Sequence, residues 1–252
     1  MNQKTKIALY ILIGVLAVVG VVWANIARLN STVRDIDVQI RYAEADTLIT
    51  PADVEQYVLQ QMPTLKSQLI KEVNPEEVLQ TVSKSPYLHH TEVSVSMSRH
   101  IVIRTCQRTP VAHIFGRKGD YYIDSTCTQM PLSPHSQPDI IMANYSDTAS
   151  RHNIRSICMV ATYLHQHPQY GELFDQIYEE SNHDLYLVPR LGQHVVLLGD
   201  TTDLDTKFFN LITLYRKGMK KTGWDTYSLV NLKFRGQVVC ERKIKNNKYF
   251  PL

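Results

Sequence analysis

The sequence predicts an α+β fold: an N-terminal transmembrane helix, a β-α-α-β-β module, then a mainly antiparallel β domain with two helices. Three observations predict it. No charged residue interrupts Ile7–Ala27, two helix-start signals follow an alternating strand, and short alternating runs recur to residue 243. Chain length and composition agree, since 252 residues with 44% hydrophobic and 20% charged content leave room for folded domains beyond one anchor. A formal charge of +3 is too small for a nucleic-acid binder, and that class is set aside.

The 21 uncharged residues from Ile7 to Ala27 reach about 30 Å as a helix, the thickness of a hydrocarbon core. Tyr10 and Trp23 stand toward its two ends, as interfacial aromatics do. A cleaved signal peptide has a shorter apolar region, and Ala24-Asn25-Ile26-Ala27 matches a cleavage site poorly. The reading is therefore a cytoplasmic tip at residues 1–6 and a retained span at 7–27. Lys4, Lys6 and the amino terminus, against Arg28 and Arg34 interspersed with Asp35 and Asp37, place the N-terminus inside.

Val33–Tyr42 reads as a strand in which Ile36, Val38 and Ile40 alternate with polar residues. Thr50-Pro51-Ala52-Asp53 then starts a helix: Thr caps free amides, Pro suits the first helical position, and Asp meets the positive dipole end. Asn74-Pro75-Glu76-Glu77 repeats the signal, and Pro86 closes the second helix. A strand around Val93–Met97 and another at Ile101–Ile103 complete the module. Either Val33–Tyr42 or Ile101–Thr105 is left as a second open sheet edge.

The order of this module resembles a POTRA module. Its exit, Gln107-Arg108-Thr109-Pro110-Val111-Ala112, resembles the "acid-or-Gln, Arg, x, Pro, Val" signature of the FtsQ/DivIB bacterial cell-division proteins, and Pro86-Tyr87-Leu88 resembles their "Pro, aromatic, aliphatic" step. Farther on, Tyr121-Tyr122-Ile123-Asp124 with Met130-Pro131-Leu132 is similar to the family's "Tyr-Val-Asp … Gly … Pro-Leu" hairpin, although Ser125–Thr128 stand where its Gly is usual.

The remaining elements follow in order. Ile154–Gln166 is an amphipathic helix carrying Ile157, Cys158, Ala161 and Leu164 on one side. Leu185–Pro189 and Gln193–Leu198 read as strands. Thr202 with Asp205 reads as a capping box opening a helix through Lys207 and Tyr215, and Arg216, Lys217, Lys220 and Lys221 suit its C-terminal end. Tyr227–Phe234 and Gln237–Lys243 read as strands joined by a two-residue Arg235-Gly236 turn. Val230-Asn231-Leu232-Lys233-Phe234 resembles the family's "Asp-Leu-Arg-aromatic" run, with Asn231 and Lys233 replacing two charges of an ion pair.

No sequence motif for catalysis, phosphate binding or a dinucleotide is present, so neither an enzyme nor a cofactor is expected. His89 and His90, adjacent on a strand, are expected on opposite faces, and no metal site is expected. Cys106, Cys127, Cys158 and Cys240 have no metal spacing, and their disulfide state stays open. The Asn144-Tyr145-Ser146 sequon is inert on a bacterial reading.

The resemblance implies a non-enzymatic scaffold of the division machinery, with a POTRA-type domain at 33–110, a β domain at 111–244 and a basic tail at 245–252. It implies a single-pass type II protein of the inner membrane with a periplasmic body. The implied partners are FtsB- and FtsL-like single-span proteins, and other division proteins at the POTRA module. If Gln237–Lys243 is an edge strand, its free amides and carbonyls accept a partner strand. The candidate partner-binding residues are Phe234 as an aromatic anchor, Gln237, Val238, Val239 and Cys240 on the strand, and Arg242 and Lys243, with Lys245, steering an acidic segment. An anchored enzyme acting on peptidoglycan, or a POTRA-type receptor or chaperone, is the alternative.

Overall fold

The structure, a computed structural model, describes residues 3–116, 119–145 and 151–243. The expected tail at 245–252 with Lys245, residues 1 and 2 of the tip, and Ser146 of the sequon lie outside the described residues. The chain divides into two compact units, Met1–Arg108 and Thr109–Leu252.

The first unit starts with helix α1 (Gln3–Leu29), whose stretch Tyr10–Leu29 is long and apolar enough to cross a membrane and is not covered by protein. Strand β1 (Asp35–Arg41), helices α2 (Pro51–Gln61) and α3 (Pro75–Ser83), and strands β2 (Leu88–Val95) and β3 (His100–Gln107) follow. Local chemistry sets these starts. Thr50 and Asp53 form a reciprocal capping box, with Asp53 Oδ2 accepting from Thr50 N at 2.7 Å, and Asn74 Oδ1 accepts from Glu76 N at 3.1 Å. Val54, Val58, Val78 and Val82 of the helices bury against Ile36, Leu88, Ile101 and Ile103 of the sheet.

The three strands run in the order β1-β3-β2, with β1 parallel and β2 antiparallel to β3. Ile101–Thr105 is therefore the central strand, paired on both sides, and cannot be the second edge. β1 and β2 take the two margins. The histidine pair is also corrected. His90 adopts a left-handed φ of 50° at a bulge, which breaks the two-residue alternation and brings the His89 and His90 rings to 4.7 Å. Gln107 and Arg108 have structural tasks. Gln107 accepts from Leu48 N and Ile49 N at 2.7 and 3.2 Å and donates to Asp46 O at 2.8 Å, while Arg108 donates to Leu88 O at 3.1 Å. The first two residues of the exit signature thus pin the loop before α2 and the start of β2.

The second unit is one nine-stranded sheet ordered β12-β11-β10-β9-β8-β7-β4-β5-β6. Its strands are β4 (Pro110–Ile114), β5 (Tyr121–Asp124), β6 (Gln129–Pro131), β7 (Ile141–Tyr145), β8 (Phe174–Glu179), β9 (Leu185–Pro189), β10 (Val195–Gly199), β11 (Tyr227–Asn231) and β12 (Val239–Arg242). Most pairings are antiparallel, and β4–β7, β7–β8 and β10–β11 are parallel. Parallel neighbours need crossovers. Helices α4 (Arg151–Gln166) and α5 (Pro168–Gly171) join β7 to β8, and α6 (Leu204–Thr213) with a π-helical continuation (Leu214–Met219) joins β10 to β11. These helices bury Ile157, Val160, Ala161, Leu164, Phe208 and Leu211 against Ala112, Ile114, Ile177, Leu187, Val196 and Val230.

Two details differ from expectation. Asp203, at a left-handed φ of 50°, occupies the cap position of α6 and makes no side-chain cap bond. Thr202 is instead drawn back to Asp200 Oδ1, which accepts from its N at 3.1 Å and its Oγ1 at 2.7 Å, so no capping box forms there. The buried Lys207 reaches the same carboxylate at 2.7 Å, and this hydrogen bond first of all holds the Asp200 carboxyl down at about 2. In the β5–β6 turn, Cys127 takes a left-handed φ of 63° and is disulfide-bonded to Cys158 of α4. Asp124 Oδ1 organises that turn by accepting from Thr126 N at 2.9 Å and Thr128 N at 2.8 Å.

Candidate partner-binding edge

β12 is the terminal strand of its sheet, and among the described residues it pairs with β11 alone. The register Asn231↔Val239, Val230↔Cys240 and Leu229↔Glu241 shifts at the Tyr227↔Arg242 pair, a bulge that adds twist at the margin. Lys243 N donates to Thr226 O at 3.0 Å, and Glu241 O accepts from Ser228 Oγ at 3.4 Å. Main-chain groups alternate along a strand, so Val239, Glu241 and Lys243 face β11, whereas Cys240 and Arg242 turn N–H and C=O to the open side.

Side chains alternate too. Val238 and the half-buried Cys240 pack on the core, and burial pushes the Cys240 thiol up, keeping it protonated. Val239 is 40% exposed and points with Glu241 to the opposite face, so Val239 is not a core residue. Across that face the register aligns Tyr178, Tyr186, Leu197, Asn231 and Val239 in one row. The rings of Tyr178 and Tyr186 stack at 5.0 Å, and burial raises the Tyr178 hydroxyl to about 12.

The two-residue turn is not what forms. β11 stops at Asn231 and β12 starts at Val239, with seven residues between them. Asn231 Oδ1 captures Lys233 N at 2.9 Å, and Lys233 Nζ bonds Asp184 Oδ2 at 2.8 Å, which pulls the chain off the ladder. A tight turn then closes through Gln237 N to Phe234 O at 3.3 Å, with Gly236 supplying φ 77°. Phe234, 49% exposed, and Gln237 thus sit on the turn before the edge, not on the strand. Val238 leads in, Val239, Cys240 and Arg242 lie on the strand, and Lys243 follows it beside Gln193. The row formed with Tyr186 and Leu197 escaped sequence reasoning. Strand alternation places these residues on one face, but only the register makes them neighbours of Val239.

Behind the edge, His194 is buried beneath Tyr215 and Trp224, with Nε2 2.8 Å from the Tyr215 hydroxyl and Nδ1 without a hydrogen-bond partner among the described residues. Burial holds its pKa below the ordinary histidine value, and the nearby Asp225 charge opposes this only in part. Unfolding therefore takes up a proton at mildly acid pH. His194 leaves stability intact above about pH 6.5 and lowers it progressively below, until the folded-state value is passed. Melting between pH 7.5 and 5.5 is expected to show a smaller drop for His194→Phe than for the wild type. Equal drops would exclude His194 as a source of the acid sensitivity.

A family model described as FtsQ/DivIB, C-terminal related, matches residues 109–241. The chain belongs to this family. The match covers the sheet from the start of β4 to the penultimate residue of β12. Membership in the FtsQ/DivIB-related family implies a role in cell division at the septum, in a family of generally non-enzymatic proteins. No curated protein matches the chain.

Proposed function

We propose that this FtsQ/DivIB-related protein is a non-enzymatic scaffold of the division machinery that docks partners by strand addition at β12. The supporting observation is the one-sided pairing of β12, which among the described residues leaves the Cys240 and Arg242 main-chain groups open to a guest strand. FtsB- and FtsL-like single-span proteins are the proposed guests. Val239 offers an apolar contact on one face, and Arg242 and Lys243 attract acidic residues. The three-stranded module is proposed as a POTRA domain whose margins, β1 and β2, receive other division proteins.

On this reading α1 is a single inner-membrane span and the body lies in the periplasm; the length and apolar composition of Tyr10–Leu29 support the span. The Cys127–Cys158 disulfide supports that placement, since such bonds persist in oxidising compartments. The enzymatic alternative needs an activated nucleophile or paired carboxylates in a cleft. The cleft beside α4 is lined by Ser125, Thr126, Arg155 and Met159, and its two cysteines are already joined.

Arg242→Pro tests the docking. Proline deletes an N–H on the open side, while Glu241 O still accepts from Ser228 Oγ and Lys243 N still donates to Thr226 O. Val239→Pro is less discriminating, because Val239 faces β11 and its loss also breaks the internal ladder. Co-purification of the FtsB-like partner with the full-length chain is expected to weaken at least about tenfold in Arg242→Pro, roughly 1.4 kcal/mol, with melting preserved. Arg242→Gln is expected to lose much less. Undiminished capture by the proline variant would reject strand addition.

A further inference from the structure

We propose that the β2–β3 turn, Ser96–Arg99, docks on the bilayer surface, with Met97 lowered among the lipid headgroups and a ring of cations around it facing anionic lipid. The proposal rests on reading α1 as a membrane span.

The anchor passes into its module without a linker. Ser31 Oγ donates to Ala27 O at 2.8 Å at the end of α1, and the next residues are stitched in at once. Lys71 N donates to Leu29 O at 3.2 Å, Ile70 N to Ser31 O at 2.9 Å and Val33 N to Gln68 O at 3.1 Å. On the other side Arg34 N donates to Arg99 O at 2.9 Å, and Arg28 Nη1 reaches Ser96 O at 3.3 Å.

Topology sets the level of the turn. β1 leads away from the anchor, and β3 is parallel to it from Asp35↔His100 onward. The start of β3, and so the turn before it, must lie at the anchor end of the module. A span whose apolar stretch closes at Leu29 leaves Arg28–Arg34 in the interfacial layer, and Ser96–Arg99 shares that depth.

The composition there fits lipid better than water. Hairpin tips favour polar residues, yet Met97 stands at this one 77% exposed, the most exposed large apolar side chain among the described residues. Arg99 belongs to the turn, Arg28 and Arg34 bond to its main chain, and Lys71 stands at the end of the anchor beside Leu29 and Asn30. Among the described residues none of the four has a carboxylate partner. Asp35 is taken by Lys66 at 3.0 Å, which leaves Glu72 as the opposing charge beside Lys71. An exposed apolar side chain within a basic rim is the arrangement that binds an anionic bilayer surface.

The test uses the full-length chain in phosphatidylcholine–phosphatidylglycerol vesicles, with Cys106 and Cys240 changed to Ser and one environment-sensitive fluorophore on a new cysteine. Met97→Cys probes the turn, Ala43→Cys the opposite end of the module, and Gly14→Cys the span. The label at 97 is expected to emit to the blue of that at 43, to resist aqueous iodide several-fold better, and to be quenched by headgroup-level nitroxide lipids. Its protection is expected to fall in phosphatidylcholine alone. A label at 97 as open to iodide as the one at 43, with the label at 14 protected, overturns the docking and leaves the anchor standing. A label at 14 that acyl-chain nitroxides cannot quench removes the anchor reading, and the docking with it. Protection at 97 that is indifferent to anionic lipid overturns the cationic ring.

Discussion

Phe208→Ala is expected to destabilise the protein by about 3–5 kcal/mol, the cost of emptying a fully buried aromatic site. Phe208 is the hub of the packing between α6 and the sheet. Its ring lies 5.2 Å from Tyr163, 5.3 Å from Tyr170 and 5.9 Å from Phe174, which come from α4, α5 and β8. Collapse into the vacancy is restricted, because α4 is fixed by the disulfide and Phe174 by its ladder with β9. Against a total stability of about 5–15 kcal/mol, such a loss threatens the folded population. Urea denaturation of the full-length chain in detergent measures it. Phe208→Leu, closer in volume, is expected to lose less than half as much. A loss below about 1 kcal/mol in the alanine variant would show that the helices repack around the gap.

Breaking the disulfide by Cys127→Ser with Cys158→Ala is expected to cost about 3–4 kcal/mol. The bond closes a loop of 31 residues, and the loop-closure relation gives that size. Reduction of the wild type by dithiothreitol should produce a similar loss. One comparison separates the bond from the turn it ends in. Cys127 sits at φ 63°, a conformation in which glycine is not penalised. Cys127→Gly with Cys158→Ala should therefore recover about 1 kcal/mol over the serine version. No difference between the two pairs would mean that Asp124 and its three hydrogen bonds hold the turn without help from backbone preference.

Most of the first unit was legible because its instructions are local. Thr50-Pro51-Ala52-Asp53 and Asn74-Pro75 carry their own caps, and α2 and α3 begin where those residues say. Alternation found β1, β2 and β3 but not their neighbours, so the central position of Ile101–Thr105 needed the pairing itself. In the second unit β4, β7 and β8 were not foreseen. They meet through parallel pairs, with partners far apart in the chain. The pairing of Cys127 with Cys158, 31 positions apart, is hidden in the sequence for the same reason. The edge shows both sides of this. The sequence leaves the edge position of Gln237–Lys243 as a condition, which the pairing of β12 with β11 alone among the described residues now meets. Phe234 and Gln237, by contrast, fall on the turn and not on the strands. Two side chains, Asn231 and Lys233, outcompete the ladder and lengthen the turn.

The order of strands across the large sheet has a consequence for synthesis. β12 is the last described strand to leave the ribosome, and its neighbour β11 reaches the sheet only after α6 has crossed over from β10. The outermost ladder is thus completed only when the rest of the sheet exists. A nascent or prematurely terminated chain ending before residue 239 presents β11 as its margin instead, in parallel register with β10 and with different residues outward. Under the proposed strand addition, a guest matched to β12 would meet a different template on such a fragment.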